Sequence, residues 1–341
     1  MEHGDQRRDL LLRWLGSLAP ELALQPSTLR AASADASFRR YFRLDTGDRR
    51  RSVIAVDAPP AQEDSATFVA LASWLRTIGV QAPEVIAADL EHGLMLVGDL
   101  GERTYLDALA AGADARPLYA DALATLIRIQ AAAAPPALPD YDRERLRFEL
   151  GLFPQWYVGR HLGVELDAGE RARLERCFDA MLANHLAEPR VVVHRDYHCR
   201  NLMATAADNP GVLDFQGALR GPASYDLVSL LRDAYVEWDE AQQIDWAVRY
   251  WQQARGAGLP LAADFAAFWR DVEWMGLQRH LKVLGLFARL AHRDGKARYL
   301  ADCPRVLGYA RLCARRYDEL APIARLLDRL DGVPAVAAFT F

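Results

Sequence analysis

The run His194-Arg195-Asp196-Tyr197-His198-Cys199-Arg200-Asn201 sets an acid five positions ahead of a side-chain amide. After twelve intervening residues, Leu213-Asp214-Phe215 delivers a second acid. Transfer of a phosphoryl group needs these residue types. One carboxylate, Asp196, orients and deprotonates the acceptor hydroxyl, while a second, Asp214, and an amide oxygen, Asn201, hold metal ions against the triphosphate. Oxygen ligands of this kind suit magnesium rather than zinc. A lone His-Arg-Asp reads equally well as a charged turn. The added Asn at that offset and the strand-Asp-Phe that follows make the catalytic reading much the more specific. ATP and Mg2+ are therefore the expected donor and cofactor.

The elements around these residues fit that chemistry. Val191-Val192-Val193 is a short β-branched strand before the loop, and Gly211-Val212-Leu213 supplies another short strand after it. Upstream, apolar spacing predicts a helix over residues 5–18 closed by Pro20, strands at Tyr41–Leu44 and Ser52–Val56, and a helix over 61–78 stopped by Gly79. Val85–Ala87 and Leu94–Val97 read as two more strands. Residues 135–142 form a proline-rich connector, and 224–330 are helical almost throughout. The expected class is α+β. A nucleotide-binding lobe with a small antiparallel sheet and one helix spans 1–98, and a large mostly helical catalytic and substrate lobe spans 99–341. A hinge near 97–101 would join them.

Composition excludes several other classes. With 341 residues, 51% hydrophobic, 26% charged and a formal net charge of −5, the chain is an ordinary globular protein with no basic field for nucleic acid or an anionic membrane. Its four cysteines show no CxxC pair and read as reduced thiols. No stretch reaches the ~18 apolar residues of a membrane span, and Asp9 and Arg13 break the N-terminal apolar run. A cytoplasmic enzyme without a protein partner is expected.

At the catalytic loop the sequence resembles the aminoglycoside phosphotransferase and choline kinase branch of the protein-kinase-like fold, over about residues 30–310. The segment Gly221-Pro222-Ala223-Ser224-Tyr225-Asp226-Leu227 is similar to one that braces the catalytic loop in that branch. The resemblance implies a two-lobed fold and a bracing role for His194 and Asp226. By itself Asp226 also reads as a helix N-terminal acid favoured by the dipole. Three segments, Asp35–Arg43, Asp57–Pro60 and Gln278–Gly285, look like the anomeric sugar kinases of bacterial cell-wall recycling. That likeness implies ATP-dependent phosphorylation of the C1 hydroxyl of N-acetylmuramate and N-acetylglucosamine. Rival readings are a kinase of an aminoglycoside, choline or homoserine, and a nucleotide-binding pseudokinase scaffold.

Two departures bear on the nucleotide site. The segment Ala34–Arg40 lacks the glycines of a phosphate loop, though Ser37 and Arg39 could still meet a phosphate. Asp57 stands where the strand usually carries a phosphate-pairing lysine, and the chain has lysines only at 282 and 296. Either Arg39, Arg40 or Arg43 replaces it, or the protein is a weak kinase. Glu63, lacking a lysine to pair with, reads as a solvated first-turn acid. Ala55 is expected to roof the adenine, and the backbone near Val97 and Asp99 to bond its edge. For the acceptor, Arg279, Lys282, Arg289 and Arg293 share one helix face. Arg279, His280 and His198 are the candidates to reach it, and the cationic face disfavours polycationic acceptors.

Overall fold

A computed structural model describes residues 2–33, 38–48, 52–135 and 137–332. Its contacts define two compact units, Met1–Ala111 with Asn201–Gln216, and Gly112–Arg200 with Gly217–Phe341. The lobes 1–98 and 99–341 remain a proposal distinct from these units, the first of which takes in Asn201–Gln216.

The first unit holds a five-stranded antiparallel sheet in the order β1-β2-β3-β5-β4, formed by β1 (Leu24–Ser33), β2 (Arg40–Thr46), β3 (Ser52–Asp57), β4 (Val85–Asp89) and β5 (Leu94–Gly98). Helix α1 (Glu2–Leu22) covers one face, where Leu11 and Leu15 pack on Leu24, Leu44, Val53, Ala55, Leu94 and Leu96. Pairing of Arg40 with Asp57, Phe42 with Ala55 and Leu44 with Val53 places all six on that face, because neighbours across a ladder point the same way. Tyr41, Arg43, Ile54, Val56 and Met95 alternate onto the other face. Helix α2 (Ser65–Thr77) buries Phe68, Leu71, Ala72 and Leu75. It starts later than its apolar spacing predicts because Asp64 caps it, accepting the Thr67 N–H at 3.0 Å.

Two elements differ from expectation. Helix α1 runs through Pro20 instead of ending there. Pro20 has no N–H to give the Gly16 carbonyl, and only Glu21 and Leu22 follow it before the helix ends. Strand β1 was not expected. It is an edge strand with register shifts and contains Pro26, which an edge tolerates and a central strand does not.

Asp57 is fully buried at the end of β3, and its carboxylate accepts Nε of Arg7 from α1 and Nε of Arg40 from β2, each at 2.9 Å. Asp57→Asn should lower unfolding stability by about 2–3 kcal/mol, the usual worth of a hydrogen bond to a charged group. Urea titration of the variant checks this.

The second unit is mainly helical: α4 (Ala115–Ala131), α5 (Arg143–Leu152) continued by a π-helical segment (Phe153–His161), α6 (Ala168–Ala187), α7 (Ser224–Leu231), α8 (Glu240–Gly256), α9 (Phe265–Asp294), α10 (Cys303–Ala314) and α11 (Ala321–Leu330). Helix α3 (Tyr105–Ala110) belongs to the first unit together with α1 and α2. Strand β6 (Arg190–Val193) pairs antiparallel with Leu219–Pro222 and leads into the loop that carries His194–Asn201. Helix α9 is the central strut, with most of its residues buried. At Gly285 a Cβ would fall 2.3 Å from the Leu152 carbonyl carbon, so only glycine lets α9 lie this close to the end of α5. All four cysteines are buried and free. No helix among the described residues is long and apolar enough to cross a membrane.

Candidate active site

In the second unit the loop after β6 is pinned at both ends by buried carboxylates. Asp226, in the first turn of α7, accepts the backbone N–H of His194 at 2.6 Å and of Arg195 at 2.9 Å. These bonds hold Arg195 at φ +77°, a conformation unfavourable for a side chain larger than glycine. At the far end Asp233, also fully buried, accepts the Cys199 N–H at 3.0 Å. Between them the Tyr197 hydroxyl donates to the Ala122 carbonyl at 2.8 Å, and the His194 ring meets Tyr197 edge-on at 5.6 Å. The Arg195 guanidinium lies over the Tyr141 ring and donates to Glu149 at 2.6 Å. This scaffold leaves Asp196 half-buried.

Burial works to raise the Asp196 pKa, but the nearby cations, Lys282 foremost with Arg195 and Arg279, outweigh it and hold it at about 2. Such a carboxylate is ionised at every physiological pH. A carboxylate of this kind is better suited to orient a hydroxyl than to remove its proton. Lys282 supplies the largest of these attractions. It stays charged despite burial through Glu149, 3.5 Å away, and the Tyr225 hydroxyl at 3.0 Å. Burial drives the Asp226 pKa up to about 7, against the pull of its two N–H donors. Burial also lowers the His198 pKa, and Arg279 and Arg200 push the same way, which favours the neutral imidazole.

A pH prediction follows from the sign of the Asp196 shift. A depressed carboxylate loses its ionised form as pH falls through its folded-state value, and removing a nearby cation raises that value. In Lys282→Met the acid limb of kcat/KM should therefore move to higher pH by about one pH unit. An unmoved limb would detach Lys282 from Asp196.

In the first unit, Asp214 sits at φ +61° with Asn201 Nδ2 3.3 Å from its Oδ2 and Gln216 Nε2 2.6 Å from its Oδ1. The Leu213 N–H donates to the Asn201 carbonyl at 2.9 Å, tying the two segments together. A carboxylate and an amide at this separation offer oxygen donors that fit a magnesium ion keeping several waters and phosphate oxygens. Phe215 stacks on Phe68 of α2 with ring centroids 4.9 Å apart. The Arg39 guanidinium lies 5.9 Å from the other ring of that stack, Phe68, and pairs with Glu63 at 3.0 Å.

This pair corrects the sequence expectation for Glu63. It precedes α2, its side chain is only 14% exposed, and it binds an arginine that is 4% exposed. An Arg–Glu pair thus stands beside the Asp214 segment in a chain without an N-terminal lysine. Asp57 needs no compensation from the nucleotide site, since it lies on the α1 face between Arg7 and Arg40. The expectation for Ala55 is overturned for the same reason: it is fully buried in the α1-facing core, and Ile54 and Val56 occupy the other face. Val97 lies within β5, flanked by β3 and β4, so Asp99 is the first residue past the ladder. The Asp99 carboxylate binds Arg43 at 2.5 Å and Ser52 at 2.6 Å. Ser37 lies outside the described residues.

Of the acceptor candidates, His280 is corrected. It is buried, stacks on Tyr309 at 5.2 Å and has Nε2 3.3 Å from the Arg232 carbonyl. Burial first, then the Arg232 charge, brings its pKa down to about 3, the state of a neutral core residue. His198 is half-buried with its ring edge-on to Tyr235 at 5.4 Å. Arg279 is buried on α9, and its charge acts on both Asp196 and His198. Glu149 and Asp233 went unnoticed in the sequence. Asp233 carried a usable signal, an acid directly after the apolar residues of α7 and beside Arg232.

The profile described as the phosphotransferase enzyme family matches residues 28–265. The chain is 48% identical over 333 residues to a protein of Pseudomonas aeruginosa named N-acetylmuramate/N-acetylglucosamine kinase, covering 96% of this chain and 97% of that one. A Neisseria meningitidis protein of the same name is 45% identical over 340 residues, covering 98% of this chain and 100% of that one. Among solved structures, a choline kinase from Streptococcus pneumoniae superposes with a TM-score of 0.60 at 10% identity, over 86% of this chain and 96% of that one. A macrolide 2′-phosphotransferase from Brachybacterium faecium gives 0.58 at 19% identity, over 86% and 97%. These structural likenesses establish the protein-kinase-like fold.

Proposed function

The chain belongs to the phosphotransferase enzyme family, and from that premise we propose that it transfers the γ-phosphoryl group of ATP to the anomeric hydroxyl of N-acetylmuramate and N-acetylglucosamine, giving the sugar 1-phosphates. The observation that carries this reading is the 48% identity, over nearly the whole of both chains, to a kinase named for these two sugars.

The residues divide the work. Asp196, ionised and held by the Asp226-braced loop, accepts a hydrogen bond from the anomeric hydroxyl and points its oxygen along the line of transfer. That hydroxyl is the most acidic of the sugar, so a weakly basic carboxylate suffices. Asn201 and Asp214 are the residues that would hold magnesium, which when bound neutralises charge on the phosphates. Arg39, oriented by Glu63, takes the place of the absent lysine as a donor to phosphate oxygens. Asp99 offers its backbone to the adenine edge, while Ile54 and Val56 present the apolar face that Ala55 does not. The enzyme acts in the cytoplasm on small molecules alone. A panel of N-acetylmuramate, N-acetylglucosamine, choline, homoserine and an aminoglycoside, read by ADP release, tests the acceptor class. Turnover restricted to the two sugars supports the proposal, and a preference for any other acceptor removes it.

A further inference from the structure

We infer that the guanidinium of Arg279 is the docking group for a carboxylate on the acceptor substrate. The inference rests on the proposed function. Of its two acceptors, N-acetylmuramate carries a carboxylate on its lactyl ether and N-acetylglucosamine carries none.

Arg279 lies in the middle of α9 and is 4% exposed, yet among the described residues its Nε and Nη1 have no hydrogen-bond partner. A buried guanidinium is ordinarily paired, because an unmet charge in a low-dielectric interior is costly. The other cations of this cluster obey the rule: Arg195 and Lys282 share Glu149, and Arg232 binds Glu273 at 2.9 Å. Among the described residues the Arg279 charge acts on the carboxylates of Asp196 and Asp226, and both have other tasks. Asp226 is occupied by the loop backbone, and Asp196 is the acid assigned to the reacting hydroxyl. The neighbouring imidazoles of His198 and His280 supply no anion. What the site lacks is a negative group from outside the chain, and a planar fork of donors fits a carboxylate through two bonds at once.

A phosphate is the competing anion. The side chains proposed for phosphate and metal, Arg39, Asn201 and Asp214, all belong to the first compact unit. Arg279 belongs to the second unit with Asp196 and His198, the residues proposed for the acceptor. Its position three residues before Lys282 keeps both cations on one face of α9, where Lys282 is already neutralised. The carboxylate of the acceptor is therefore the better match.

The test compares kcat/KM at saturating ATP for N-acetylmuramate, its size-matched carboxamide and N-acetylglucosamine. The wild type should prefer the acid over the carboxamide, and Arg279→Gln should reduce that preference by about 30-fold, as when one partner of a desolvated charge pair is truncated. Arg279→Lys, which keeps the charge and loses the fork, should recover part of it and serves if the glutamine variant does not fold. A wild type indifferent to the carboxylate overturns the inference. So does an equal loss for all three sugars in Arg279→Gln, which would assign the arginine to the phosphoryl group or the loop. A wild type that phosphorylates none of the three at C1 fails at the proposed function itself, and the inference falls with it.

Discussion

Asp196→Asn should lower kcat with N-acetylmuramate by about 10²–10⁴-fold, the range of a positioned acid–base group. The substitution preserves size but removes the negative charge that aligns the hydroxyl. In its place it offers an amide that can donate as well as accept, so the nucleophile is no longer held in one orientation. Affinity for ADP should change by less than about threefold, because the binding of a nucleotide does not draw on a group that acts in the transition state. The surrounding cations outweigh burial and make Asp196 an unusually acidic carboxylate, so the loss should persist across the pH range instead of recovering at high pH. Near-native kcat in this variant would transfer its role to another residue.

Arg39→Ala should lower kcat/KM for ATP by about 10²-fold, the scale seen when one fixed donor to developing charge is removed. Arg39 and Glu63 form a largely buried pair, so the alanine variant also leaves a carboxylate uncompensated and should lose stability. Arg39→Lys separates the two effects. It keeps the ion pair with Glu63 and should recover stability more fully than activity, since lysine lacks the planar fork. Glu63→Gln should mirror a smaller part of the kinetic loss, and the double variant should cost less than the sum because the two act as a unit. Unchanged ATP kinetics in Arg39→Ala would remove the arginine from the nucleotide site and revive the pseudokinase reading.

The candidate site was legible as a pattern because its chemistry is written in residue types at fixed spacing: Asp196, Asn201 and Asp214 can be proposed without distant information. The strands around it were legible for the same reason, as β-branched runs bounded by turn residues. Period-two alternation also placed Ala55 and Asp57 together on one face of β3. It could not say which face, since that is settled by Arg7 and Leu11 of α1, some fifty residues away. Glu63 failed similarly. Without a lysine in view it looked solvated, and its partner Arg39 sits on the far side of strands β2 and β3 in the sequence. On α9 the helical spacing of Arg279 and Lys282 was plain, and burial reversed its meaning. Glu149 and Tyr225, from α5 and α7, turn a cationic face into a packed interior. Edge strand β1 carried too weak a pattern, with Pro26 and its register shifts diluting the alternation.

The central claim is that the phosphoryl group goes to the anomeric oxygen. Phosphorus NMR of the product formed from ATP and N-acetylmuramate, run beside its 1-O-methyl glycoside, tests it most directly. The account predicts a single sugar 1-phosphate, its phosphorus coupled to the anomeric proton, from the free sugar and no phosphorylated product from the glycoside. Phosphorylation of the methyl glycoside at the rate of the free sugar would contradict it.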